Sequence, residues 1–321
     1  LITGATGTFG HAFIRCALPQ WDRVVAYSRD EQKQAAMAEE FGRDGPRLFL
    51  GDVRDGARLA MAMRGIDAVV HAAALKRIDQ GAYSPSELIV TNVIGTMNVV
   101  NAAIHAGVKY VVVLSSDKSC APINLYGATK MAAETYAIQA NAYGFPTETR
   151  IAAVRYGNIL GSRGSVIHSW RGQLLRGVPL TVTDLRMSRF VMTIEHAVDL
   201  VNTALATMRG GEVFVPILPS AYMADLARAV APRDDYPLQV TSARPGGEKL
   251  AEALLNEEEP SRTVRRGGGL LVVTPSHHEW TTDGWAGEPL RPDFIYRSDV
   301  NQAWLGIEAL RRRIASTEAC R

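Results

Sequence analysis

The chain has 321 residues, 47% of them hydrophobic, enough for a full core in one large domain or in one large and one small. Its 35 basic and 33 acidic residues leave a net charge of +2, which argues against a nucleic-acid or membrane-surface binder and leaves an ordinary cytoplasmic enzyme. Cys16, Cys120 and Cys320 share no metal-ligand spacing and cannot all pair, so a reduced compartment and no metal site are expected.

The chain opens at Leu1-Ile2-Thr3-Gly4, in the middle of a strand, as if a few residues preceded it. Apolar β-branched runs at 23–27, 47–50, 68–72, 110–115 and 151–156 read as buried strands. They alternate with helical patterns at 9–18, 30–41, 55–64, 84–106 and 126–143. Such alternation builds a parallel sheet with helices on both faces. After residue 157 the pattern loosens into helices at 165–176, 194–207, 222–230, 247–256 and 303–314, with loops at 267–269 and 275–292. The expected architecture is α/β: a Rossmann-like doubly wound parallel sheet over 1–157, with a smaller, interleaved C-terminal substrate-binding lobe over 158–321. No run reaches the length of a bilayer-spanning helix, and no signal-peptide pattern is visible.

Gly4-Ala5-Thr6-Gly7-Thr8-Phe9-Gly10 spaces its glycines G-x-x-G-x-x-G between a strand stub and an apolar helix. The loop must turn tightly, let backbone amides approach a pyrophosphate and let the helix pack on the sheet. The helix N-terminus then faces the negative charge. This context makes it a dinucleotide-binding loop, with Gly4, Thr6, Gly7, Thr8, Phe9 and Gly10 as its contacts. At the end of the second strand, Ser28 and Arg29 suit a ribose 2′-phosphate, which favours NADP over NAD. The alternative is that Arg29 is a solvated residue at a helix start capped by Asp30 or Ser28. Asp52 and Val53 end the third strand, where an Asp can meet the adenine amino group. Ala72, Ala73 and Ala74 end the fourth, either to let the cofactor lie close or to pack tightly.

Ser115-Ser116-Asp117-Lys118 closes the strand 110–114, and Tyr126 and Lys130 follow on one face of a helix. A nearby ammonium favours the phenolate and lowers the tyrosine pKa. Tyr126 then takes the proton of a substrate alcohol while hydride leaves the same carbon for nicotinamide. The Ser116 hydroxyl can bond the same oxygen.

Leu114-Ser115-Ser116-Asp117-Lys118 and Pro122-Ile123-Asn124-Leu125-Tyr126-Gly127-Ala128-Thr129-Lys130 resemble the inverting UDP-N-acetylglucosamine 4,6-dehydratases of the pseudaminic acid pathway, within the extended short-chain dehydrogenase/reductases. The likeness continues through Tyr27-Ser28-Arg29-Asp30-Glu31, His71-Ala72-Ala73-Ala74-Leu75-Lys76, Arg155-Tyr156-Gly157-Asn158, Gly161-Ser162-Arg163-Gly164-Ser165-Val166, Thr183 to Phe190, and Gly211 to Pro216. Retaining hexose 4,6-dehydratases have an Asp-Glu pair where this chain has Asp117-Lys118, and simple 4-epimerases have neither element. The resemblance implies that Lys118 removes the carbon 5 proton, Asp117 protonates the departing carbon 6 hydroxyl, and Tyr126 oxidises carbon 4 and later reprotonates carbon 5 from the opposite face. A buried, desolvated lysine is neutral enough for that role.

A UDP-sugar brings a diphosphate, for which Arg189 and Arg244 are the candidate cations. By resemblance Asn158 contacts the diphosphate region, and Lys76 and Arg163 lie near the sugar or its phosphates; the alternative for the last two is plain surface charge. The chain departs from its relatives at Ser116, Ser119 and Cys120, at the extra glycine of Gly246-Gly247, and at Ala251, where relatives carry His. The resemblance also implies a homo-oligomer. Competing readings are a dehydratase that leaves carbon 5 uninverted, a 4-epimerase or reductase, and a non-catalytic NADP-binding regulator.

Overall fold

Short apolar β-branched segments, each too brief to fill a helix, form the centre of the molecule. The computed structural model describes residues 1–77, 81, 83–144, 148–243, 246–276 and 284–319. Its strands are β1 (Ile2–Thr3), β2 (Val25–Ser28), β3 (Arg47–Leu50), β4 (Ala68–His71), β5 (Tyr110–Leu114), β6 (Arg150–Val154), β7 (Asn158–Ile159), β8 (Leu180–Val182) and β9 (Ser188–Met192). They continue with β10 (Val213–Pro216), β11 (Ser220–Tyr222), β12 (Leu238–Val240), β13 (Thr263–Arg266), β14 (Leu270–Val273) and β15 (Glu288–Pro289). The main sheet has ten strands in the order β15-β13-β14-β10-β6-β5-β4-β1-β2-β3. β1 to β6 and β10 run parallel, and β13 to β15 extend the edge antiparallel. This is a doubly wound sheet, and its strand order reverses between β1 and β4, where ligands of such sheets bind.

Alternation along β5 shows how both faces are covered. Val111 and Val113 join Val99, Val100, Ala103 and Ala137 on one face. Val112 and Leu114 join Phe13, Ile14, Val198 and Val201 on the other. Helix Thr8–Ala17 buries Phe9, Phe13, Ile14 and Ala17, the i, i+4 stripe expected of a helix lying on a sheet. Helix Leu125–Gln139 starts at Asn124, whose side chain accepts the Gly127 amide.

The later half of the chain both returns to this sheet and builds a second core. Leu160, Ile167, Trp170, Leu180, Leu226 and Leu310 pack together beside β7–β9–β11 and β8–β12. Two expectations need correction. Residues 247–256 form no helix: Gly246 and Gly247 take positive φ values of 93° and 81°, and an isolated bridge, Ala253 to Arg297, pins the segment extended. The run Pro85–His105 is, by length and composition, apolar enough to cross a bilayer, but half of it is buried in the protein. A π-turn at Val90–Ile94 interrupts it and turns Asn92 inward.

Candidate active site

The glycine loop follows β1, where the strand order reverses and sheets of this kind bind their ligands. Gly4 has φ +65°, and a Cβ there would stand 2.8 Å from Ala73 Cα, so only glycine lets β1 and β4 approach this closely. The following helix starts at Gly7 with no side-chain cap, leaving its first-turn amides to meet an anion. Thr6 Oγ1 and Ser28 Oγ lie 2.8 Å apart and tie the loop to the end of β2. Asp30, not Ser28, caps the helix Glu31–Phe41. Arg29 is exposed and lies 3.6 Å from Asp52, which Arg54 also holds at 2.7 Å. Burial would raise the Asp52 carboxyl, but the Arg54 bonds and Arg29 outweigh it and lower it. Val53 is buried, and Phe9 stacks on Phe13, so both side chains belong to the core. Ala72 and Ala73 are half-buried and Ala74 is exposed. A close-approach floor, an uncapped helix start and an exposed guanidinium fit a dinucleotide with its pyrophosphate on the loop.

The Ser116, Asp117 and Lys118 cluster lies at the C-terminal end of β5. The backbone turns through Asp117–Ser119, and the Asp117 amide donates to Tyr156 O at 3.1 Å. Asp117 is only 1% exposed. Its Oδ1 accepts from Ser116 Oγ at 2.7 Å and from Lys118 Nζ at 2.9 Å. Its Oδ2 is buried with no partner. Lys118 also faces Glu252 Oε1 at 3.4 Å. Gly127 allows the helix Leu125–Gln139 to press on this turn, since a Cβ there would stand 2.6 Å from Lys118 O. Tyr126 and Lys130 are both buried on that helix, and Lys130 Nζ donates to Leu114 O at 2.5 Å. Asn92 braces it: its amide bonds both backbone groups of Leu75 at 2.8 and 2.9 Å and reaches Thr129 Oγ1 at 3.1 Å.

Electrostatics here differs from expectation in two places. Burial pushes the Lys118 ammonium down, but Asp117 and Glu252 more than offset it and raise its pKa, so the resting lysine is charged rather than neutral. Tyr126 is raised, not lowered: burial dominates, opposed first by Lys118 and also by the Ser116 hydroxyl. Lys130 is the lysine that burial depresses, to about 8, opposed by Glu134.

The expected substrate contacts separate. Arg189 is buried, donates to Ser188 O at 2.7 Å and lies 3.8 Å from Glu252. Asn158 is half-buried in β7, paired with Val191. Lys76 is exposed on the loop after β4. Arg163 lies over the glycine loop, its amide donating to Thr8 Oγ1 and its guanidinium to Thr6 O, each at 3.1 Å. That places it against the glycine loop. Arg244 lies outside the described residues. Sequence reasoning missed Glu252 because the segment carrying it read as a helix, and missed Asn92 because the π-turn leaves no signature in the periodicity.

Residues 1–272 match the family model described as polysaccharide biosynthesis protein. The chain is 38% identical over 329 residues to the UDP-N-acetylglucosamine 4,6-dehydratase (inverting) of Campylobacter jejuni subsp. jejuni serotype O:2, covering 99% of this chain and 97% of that one. It is 38% identical over 268 residues to a UDP-glucose 4-epimerase of Rickettsia massiliae, covering 82% and 79%. The X-ray structure of Pen from Bacillus thuringiensis superposes with a TM-score of 0.89 at 33% identity, covering 98% and 97%.

Proposed function

The chain belongs to the polysaccharide biosynthesis protein family, and on that premise we propose that it removes water from UDP-N-acetylglucosamine, giving a UDP-4-keto-6-deoxy-hexosamine inverted at carbon 5. The observation that carries the reading is the Asp117–Lys118 contact of 2.9 Å at the end of β5, beside a buried Tyr126. An epimerase has no use for that pair, because it neither abstracts a ring proton nor expels a hydroxyl.

Acid and base come from one tautomeric shift. Moving a single proton from Lys118 Nζ to Asp117 Oδ1 turns the ion pair into a neutral amine and a carboxylic acid, with no change in net charge. The amine takes the carbon 5 proton and the acid protonates the leaving carbon 6 hydroxyl, which restores the ion pair. Tyr126 acts as the phenolate, the form that Lys118 and the Ser116 hydroxyl favour against burial: it accepts the carbon 4 hydroxyl proton at the start and returns a proton to carbon 5 at the end, so its own state is also restored. A nicotinamide dinucleotide held over the Gly4–Gly10 loop would supply the hydride chemistry, oxidation at carbon 4 and reduction at carbon 6. Lys130, depressed to about 8 and fixed to Leu114 O, stands one helical turn from Tyr126.

NADP is the proposed form of the cofactor, supported by the exposed Arg29 guanidinium at the end of β2 and by the absence of an acidic residue at positions 27–29. Support for a cytoplasmic homo-oligomer is the resemblance of the sequence to its family.

The test is incubation with UDP-N-acetylglucosamine and NADP, followed by mass and NMR analysis. Loss of one water with a new carbon 6 methyl is expected, and the ring couplings report inversion. An unchanged mass with a galacto product would overturn the reading in favour of epimerisation. For Tyr126, the readout is solvent deuterium entering carbon 5 of a supplied 4-keto intermediate, which Tyr126→Phe should slow; exchange at full rate removes it as the final proton donor.

A further inference from the structure

Glu252 is a carboxylate from the segment joining the two halves of the later chain, yet it ends against the reactive lysine. It is 3% exposed. Its Oε1 lies 3.4 Å from Lys118 Nζ and 3.8 Å from Arg189 Nε, and its Oε2 lies 3.6 Å from Lys249 Nζ with no hydrogen-bond partner. The backbone fixes it there: the Glu252 amide donates to Ser298 Oγ at 3.0 Å and Ser298 N donates to Glu252 O at 2.8 Å. A buried carboxylate oxygen without a hydrogen bond is costly to keep unless the charge is needed.

We propose that Glu252 is the positioning residue for the carbon 5 base: it orients the Lys118 amine and stabilises the ammonium that forms as the proton arrives. The inference rests on the dehydratase reading and adds a third member to the Asp117–Lys118 pair. In the elimination the carbon 5 proton goes to Nζ, and the C–H electron pair becomes the double bond between carbons 5 and 6. The carbon 6–oxygen bond breaks, and the oxygen leaves as water with the proton of Asp117. Glu252 neither gains nor loses a proton; it stays ionised throughout, as the carboxylate of a catalytic triad stabilises its imidazolium. The division of labour follows from the contacts. Asp117 shares its proton with the lysine, while Glu252, offset by Arg189 and Lys249, remains the fixed charge.

Among the described residues, Glu252 faces Lys118 on the turn after β5, Tyr126 on its helix, Arg189 on β9 and Lys249 on its own segment, while Asp117 faces the same lysine. Loss of the cluster's shared proton removes the acid, and this sets the alkaline limb of the rate profile. Removing a negative neighbour from Lys118 makes that proton easier to lose. Glu252→Gln should therefore lower kcat roughly 100-fold and move the alkaline limb of kcat/KM down by about one pH unit, with KM for UDP-N-acetylglucosamine changed far less. Glu252→Asp should keep the wild-type limb at a reduced rate. Lys249→Met, which leaves Glu252 more fully to Lys118, should move the limb upward and keeps the test alive should Glu252→Gln not fold. A Glu252→Gln enzyme with wild-type kcat and an unmoved limb overturns the proposal, as does a Glu252→Asp limb displaced as far as that of Gln. A wild-type protein that releases no water from the sugar overturns the dehydratase reading and this one together, and so is told apart from failure of the Glu252 role alone.

Discussion

Two buried ionic clusters flank the helix Leu125–Gln139, and they are finished to different standards. In the first, Arg155 lies between Glu134 and Glu259, and every carboxylate oxygen has a hydrogen bond. Glu134 takes Arg155 and the Ser119 hydroxyl; Glu259 takes Arg155 at 2.6 and 2.7 Å and the Asn256 amide at 2.8 Å. Arg155 also donates to Leu254 O at 3.2 Å. In the second, Asp117 Oδ2 and Glu252 Oε2 are buried without hydrogen-bond partners, and the Lys118 side chain is 26% exposed. The first cluster joins the helix Leu125–Gln139, the residue after β6 and the segment 254–259 into a frame. The second leaves two carboxylate oxygens with unused acceptor capacity. Satisfied ionic networks fix geometry, whereas buried polar atoms left without hydrogen bonds are costly to keep.

Mutations on the two sides should therefore fail differently. Asp117→Asn should cut turnover by about 10³-fold, roughly 4 kcal/mol of barrier, while leaving thermal stability nearly intact, since Lys118 keeps Glu252 as partner. Rate assays beside thermal melts would decide; a large loss of stability with little loss of rate would reverse the comparison. Arg155→Met should do the opposite, costing about 3–5 kcal/mol in urea unfolding, because it strands two buried carboxylates.

Acid sharpens the contrast. Burial raises the Glu134 carboxyl, but Arg155 and the hydroxyl bonds outweigh it and hold its pKa below the ordinary value of 4.5. A depressed folded pKa means that the unfolded chain binds the proton first. The stability it contributes is thus present above about pH 4.5 and is lost as the pH falls through the folded value. Urea midpoints between pH 7 and pH 3 should fall in the wild type and flatten in Glu134→Gln. The smallest effect is expected at Ala121, whose φ of +46° strains the turn leading from Cys120 toward the helix Leu125–Gln139. Ala121→Gly should be neutral or raise stability by up to about 1 kcal/mol, read from the same melts.

Much of this was legible in the residue order. The glycine spacing, the Tyr126–Lys130 interval and the adjacent Asp117 and Lys118 are local patterns, and local patterns survive in a sequence. The strands of the first half carry enough β-branched residues to be read directly. The segment 247–256 was not legible, because positive-φ glycines and a bridge to Arg297 overrule an apparently helical composition. Arg163 read as a substrate contact, but the fold brings it across to Thr6 and Thr8, more than 150 residues earlier.

The sequence by itself determined which elements form and which chemical groups the protein owns, since periodicity, glycine placement and short motifs act within a few residues. Only the tertiary structure decided the charge of each group. Lys118 stays ionised despite burial because Asp117 beside it and Glu252, 134 residues later, both face it, and Tyr126 is raised because packing excludes water from it. Protonation depends on the full three-dimensional set of neighbours and on what displaces solvent, and neither is encoded at any single position along the chain.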